Sequence, residues 1–186
     1  MLRVNKFKVL SWGAVFFTAL FLFGFRAMDK ISPKLQEKLS AAVQTTFEVG
    51  EFDLEWIQVN SSLNANTPVE LGGENLFKIL QDGNVIGYVY LGQANSMKNV
   101  FDYVVLFNPD LSIKKAKILI YREDYGRQVG SQRWLKQFVG KKPGESLTYG
   151  EDIDAISGAT ISAKSMTLAV SDVLESMEIL KDRNRF

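Results

Sequence analysis

The chain has 186 residues, 22 basic against 21 acidic side chains for a formal net charge of +1, and neither a histidine nor a cysteine. The length suits one globular domain, and the charge balance, without any basic stripe, argues against a nucleic-acid partner. The two missing residue types exclude zinc sites built on His or Cys, cysteine-ligated iron–sulfur clusters, haem held by His or Cys, Ser-His-Asp triads, thiol redox pairs and disulfides.

Val9 to Phe25 is an apolar run interrupted only by Ser11, Gly13, Thr18 and Gly24. As a helix its 17 residues would cover about 26 Å, slightly short of a bilayer core of about 30 Å, and Lys8 and Arg26 can snorkel to close the gap. Gly24-Phe25-Arg26-Ala27 offers no A-x-A cleavage site, so the run reads as an uncleaved single-pass anchor within residues 1–30 rather than a signal peptide. Arg3, Lys6 and Lys8 precede it without an acidic neighbour, which puts the N-terminus in the cytoplasm and the rest on the outer, periplasmic or extracellular, face.

Beyond the anchor, Ser32-Pro33 can cap and open a helix that runs to about Phe47, with Leu35, Leu39, Ala42 and Val43 on its apolar side. A first strand is expected from Glu51 to Val59. Asn60 to Gly73 is rich in Asn, Ser and Gly and reads as a loop or a flap able to close over a ligand. Residues 31–74 thus form a juxtamembrane helix, strand and loop, and residues 75–182 the main domain. Within it, Phe77 to Leu80 and Val85 to Leu91 flank Asp82-Gly83, a hairpin signal. Phe101 to Phe107 and Ile113 to Tyr121 give two more strands, split by Asn108-Pro109-Asp110. Arg133, Lys136, Lys141 and Lys142 flank Trp134, Leu135 and Phe138 in a short amphipathic helix whose charges read as a solvated face. Met166, Val170, Val173, Leu174 and Met177 recur at helical spacing and predict a helix from Ser162 to Leu180. The fold class is α+β, with a meandering antiparallel sheet and helices mainly at its two ends. No G-x-G-x-x-G follows a strand, so a Rossmann-type phosphate loop is unsupported.

Just ahead of the last helix stands Asp154-Ala155-Ile156-Ser157-Gly158-Ala159-Thr160. Gly158 lets the backbone approach a ligand closely, and Ala159 keeps the neighbourhood small. The free N–H groups and positive dipole end of the helix, opened by Ile161 and Ser162, would face Thr160 and stabilise a phosphate without a lysine or arginine. The competing reading is an ordinary loop ending in a Ser or Thr cap.

This heptapeptide resembles the D-x-x-[S/T]-G-A-T flavinylation motif of the FMN-binding domain family and fills every fixed position. The order of elements also resembles the flavin-carrying subunits of the Rnf electron-transport complex and of the Na⁺-translocating NADH:quinone reductase, weakly over Val85 to Lys142 and strongly over Asp154 to Met166. Those subunits carry an E-T-P-G-L-G turn after the strand matching Ile113 to Tyr121. Here the segment reads Glu123-Asp124-Tyr125-Gly126-Arg127-Gln128-Val129-Gly130, with the glutamate and two glycines kept, the proline gone and the second glycine displaced.

The resemblance implies FMN joined through its phosphate to Thr160 by a separate magnesium-dependent flavin transferase that takes it from FAD, with no metal resident in this chain. Asp154 and Ser157 become recognition or turn-forming residues, Gly158, Ala159, Ile161 and Ser162 shape the phosphate site, and Glu123, Gly126 and Gly130 are candidate flavin neighbours. Tyr88, Tyr90, Tyr103, Tyr121, Tyr125 and Trp134 are candidates to pack on the ring or ordinary core aromatics. The implied function is an electron carrier working with redox partner proteins or a membrane electron-transport complex. The rivals are a flavin-dependent reductase of a small molecule, with Glu123 or a tyrosine as proton donor, and an unflavinylated membrane adapter.

Overall fold

A computed structural model describes residues 31–186, and the expected anchor over Val9 to Phe25 lies outside the described residues. No helix among the described residues is long and apolar enough to cross a membrane. Helix α1 spans Pro33–Phe47, with Pro33 in its first turn and the left-handed Glu48 closing it. Ser32 occupies the cap position, but its hydroxyl makes no capping bond.

Five strands follow: β1 (Asp53–Trp56), β2 (Leu76–Gln81), β3 (Asn84–Asn95), β4 (Val100–Phe107) and β5 (Ile113–Ile120). They form one antiparallel sheet in sequence order, the expected meander. The β2–β3 turn is the two-residue type the Asp-Gly pair predicts: Asp82 and Gly83 both have positive φ (51° and 78°) and Gln81 pairs with Asn84. β1 is shorter than the Glu51 to Val59 expectation and alternates exposed and half-buried residues, as an edge strand does.

Successive side chains of a strand point to opposite faces, and in β3 and β4 both faces are apolar. Tyr88, Tyr90, Phe101, Tyr103, Val105 and Phe107 face one core, while Val89, Leu91, Val104 and Leu106 face the other. Each core needs a cover. Leu39, Ala42 and Val43 of α1 seal the second face. The first is covered by a long C-terminal helix (Thr160–Asp182), which follows two short α segments, α2 (Ser61–Asn64) and α3 (Gln132–Leu135), and is therefore α4. The two long helices, before and after the sheet in the chain, thus flank it, one on each face, because a sheet apolar on both sides leaves neither face stable in water.

Both long helices start at the same end of the sheet. Ser165, in the second turn of α4, accepts a hydrogen bond from the Asn95 N–H at the end of β3, whereas Phe186 stacks edge-on against Tyr88 near its beginning. Leu35 of α1 lines a hollow with Gln93 and Asp102 at the end of β3 and start of β4, and Phe47 at its other end lies against Gly87.

Asn60 to Gly73 holds the four-residue α2, capped by Asn60, and Asn64 bonds Leu71 through both its carbonyl and its amide. Val69 N–H donates to Ser176, sixteen positions along α4 from Thr160, or about 24 Å at 1.5 Å per residue. The segment therefore packs near the far end of α4, and the expectation of a flap over Thr160 is corrected: its asparagines bond their own loop instead of leaving it loose.

Candidate functional site

The end of the sheet where the helices begin collects most of the predicted site residues. α4 opens at Thr160, two residues earlier than the apolar spacing suggests, because the first inward-facing residues after Ala159 are Ser162, Ala163 and Met166, while Thr160 and Ile161 point outward. Gly158 stands in the left-handed region at φ 79°, and the Ala163 N–H donates to the Ala159 carbonyl to close the first turn. Thr160 is thus the first helical residue, with its side chain exposed.

No side chain caps this helix, and among the described residues the N–H groups of Thr160, Ile161 and Ser162 have no protein acceptor. Three donors at the positive end of a 23-residue helix attract an anionic oxygen cluster.

The turn after β5 comes to the same place. Gly126 is buried at φ 78°, and a Cβ there would sit 2.6 Å from the Tyr121 hydroxyl and 3.7 Å from both the Gly158 carbonyl oxygen and Ser162 Oγ. Tyr121 and Ser162 share a hydrogen bond of 2.8 Å. Gln128 reaches the other side, its amide nitrogen 3.3 Å from where a Gly158 Cβ would be. The two glycines therefore leave room that a side chain would fill, beside unpaired backbone donors and an exposed threonine hydroxyl. These residues fit a phosphate-bearing group attached at Thr160.

The preceding loop is clamped through its backbone. Trp134 Nε1 donates to the Asp154 carbonyl at 2.8 Å, the Asp154 N–H donates to Gln137 Oε1 at 2.8 Å, and the Ile156 N–H donates to the Tyr149 hydroxyl. The Asp154 and Ser157 side chains are free to face a partner, being exposed. Ala159 is buried, and Ile161 projects outward.

Glu123 does something else. One of its carboxylate oxygens accepts from the Ser96 hydroxyl and from the N–H groups of Lys98 and Asn99, tying the tip of the β3–β4 hairpin to the turn after β5. Those bonds, that of Ser96 foremost, hold its pKa below the ordinary carboxylate range. It is a brace that stays ionised, which makes it a poor proton donor. A Cβ on Gly130 would meet nothing within 4 Å, and Gly130 lines an open hollow with Tyr121 and Arg127 at the side of the cluster.

Of the aromatic candidates, Tyr88, Tyr90, Tyr103 and Trp134 are core residues. Burial pushes the Tyr90 hydroxyl up to about 12. Tyr121 adjoins the site, and Tyr125 stands out beside Gly126 at 86% exposure. Tyr121 and Ser162 are each candidates from sequence, but their pairing and the approach of Gln128 are not legible there, since nothing local ties residue 121 to residue 162.

The sequence profile of the FMN-binding domain family matches residues 98–175. A comparison with curated proteins found no match. Among solved structures, the crystal structure of Shewanella oneidensis NqrC is similar, with 16% identity, a TM-score of 0.53 and coverage of 83% of this chain and 100% of that one. At that identity the likeness is one of fold. The matched span takes in β4, β5, the Glu123–Gly130 turn, Thr160 and most of α4, so over these elements the chain is similar to the FMN-binding domain family.

Proposed function

We propose that the protein is a membrane-anchored flavoprotein that carries FMN through a phosphoester on the Thr160 hydroxyl and passes electrons between partners of a membrane redox chain. The observation that carries this reading is Thr160 at the first position of α4, exposed, with unpaired N–H groups behind it and the family's D-x-x-[S/T]-G-A-T motif running into it. When bound, the flavin supplies the redox chemistry that a chain without histidine or cysteine lacks.

The chain's own residues would do the following. Thr160 provides the linking oxygen, and the N–H groups of Thr160, Ile161 and Ser162 offset the phosphate's charge. Gly158 and Gly126 keep the space clear, while Tyr121 and Gln128 border it. A threonine hydroxyl is a weak nucleophile. No base adjoins it in the hydrogen bonding of the described residues, so attachment falls to a separate flavin transferase with magnesium, which would read the exposed Asp154 and Ser157 and form the Thr160 ester by cleaving the FAD pyrophosphate, with AMP as the leaving group. Covalent attachment suits a domain on the outer face, where a dissociable cofactor would be lost by dilution. The reductase alternative loses Glu123 as its proton donor, because that carboxyl is committed to the hairpin brace.

The intact mass of protein co-expressed with a flavin transferase tests the reading, beside a Thr160→Ala variant. Wild type is expected to gain the mass of FMN less water, with fluorescence that survives denaturation, and the variant to gain nothing. Equal masses for the two after co-expression would refute the linkage.

A further inference from the structure

Five of the seven large apolar side chains left exposed among the described residues gather at the Thr160 end: Met97, Val100, Tyr125, Ile161 and Leu168. Met97 and Val100 sit at the tip of the β3–β4 hairpin, and Tyr125 on the loop that Glu123 ties to that tip. Ile161 and Leu168 are seven residues apart on one face of α4, next to the Ser165 that bonds Asn95. Met97 is 69% exposed and Leu168 62%. The two others, Val85 and Val139, stand singly toward the far end of the sheet.

The hairpin is built to project. β2 stops pairing at Tyr90, while β3 and β4 continue to the Asn95–Val100 pair. Its tip is held rigid by three hydrogen bonds to Glu123, so Met97 is presented outward and not left on a loose turn.

Where the chain enters decides what this end meets. α1 begins at the same end, and only six residue steps separate Phe25, the close of the apolar run, from Ile31. Fully extended they span at most about 20 Å. A domain tethered so closely to a bilayer, by that end, has little choice about which surface turns toward the lipid.

Resting on the reading of Val9 to Phe25 as a membrane anchor, we propose that the Thr160 end of the domain lies against the lipid headgroups, with Met97 and Tyr125 entering the interface. A tyrosine with an apolar body and a polar tip suits that depth, and the exposed Lys98, beside Met97, can direct its ammonium group to lipid phosphates. Thr160 lies within this surface, so a group attached there would be offered to partners in the plane of the membrane.

The chain has no cysteine, so single labels are simple to place. Full-length Met97→Cys, Tyr125→Cys and Val85→Cys proteins would each carry an environment-sensitive fluorophore and be reconstituted in phosphatidylcholine–phosphatidylglycerol vesicles with a headgroup nitroxide. Labels at 97 and 125 are expected to be quenched about threefold or more relative to the label at 85, as insertion into the headgroup region requires. If the proteins float with the vesicles and all three labels are quenched alike, the lipid contact is refuted and the anchor stands. A chain that fails to float removes both.

Discussion

Glu123 collects the Ser96 hydroxyl and the N–H groups of Lys98 and Asn99 on one carboxylate oxygen, and so joins two loops that border the candidate site. Hydrogen bonds to a carboxylate favour its charged form, which is why its pKa is lowered in the folded protein. The linkage follows from that sign. The stabilisation is fully present above the carboxyl's unfolded pKa and is lost as pH falls through the lowered folded value. Glu123→Gln is therefore expected to lower the melting temperature at neutral pH, with the gap to wild type closing on acidification below the ordinary glutamate range. Thermal unfolding of both proteins across pH 3 to 7 checks this, and a gap that stays constant to the acid limit would show that the charge is not what holds the tip.

At the scale of elements, the sequence exposed what depends on local patterns and hid what depends on contacts between distant residues. The Asp82-Gly83 turn, the four strands from β2 to β5 and the body of α4 follow from turn chemistry and from periods of 2 and 3.6. The start of α4 did not, because Thr160 and Ile161 contribute nothing to the apolar stripe. The Thr160 motif was legible as a string. The support beneath it was not, since it joins Tyr121 to Ser162, Gly126 to Gly158 and Trp134 to Asp154. The Trp134 bond makes a testable case. A buried indole in α3 reads from sequence as core, yet its N–H fixes the loop that leads into Thr160. Trp134→Phe keeps most of the packing and strands the Asp154 carbonyl, at a cost of about 1 kcal/mol. Hydrogen exchange over residues 150–160 is expected to quicken more than that of β4. Uniform acceleration instead would mean that the indole acts only as core.

At the scale of the whole molecule, α1 and β1 do work that the division at residue 75 would separate from the rest. Leu39, Ala42 and Val43 cover Phe77, Ile79, Val89, Leu91, Val104, Leu106 and Leu119, and β1 pairs along the outer edge of β2. A fragment beginning at Asn75 would keep α4 on the first face while exposing the whole second face, a contiguous apolar area of a kind that soluble monomers rarely show beyond a few hundred Å². The expectation is that residues 31–186 unfold in one cooperative transition, whereas residues 75–186 bind a hydrophobic dye strongly and melt without a sharp transition. Calorimetry and dye fluorescence on the two proteins decide it. Sharp melting of the shorter fragment without dye binding would make α1 and β1 an appendage. If the expectation holds, α1 is half of the domain's cover, so the end of the sheet that bears Thr160 cannot turn away from the start of α1 without opening the second core.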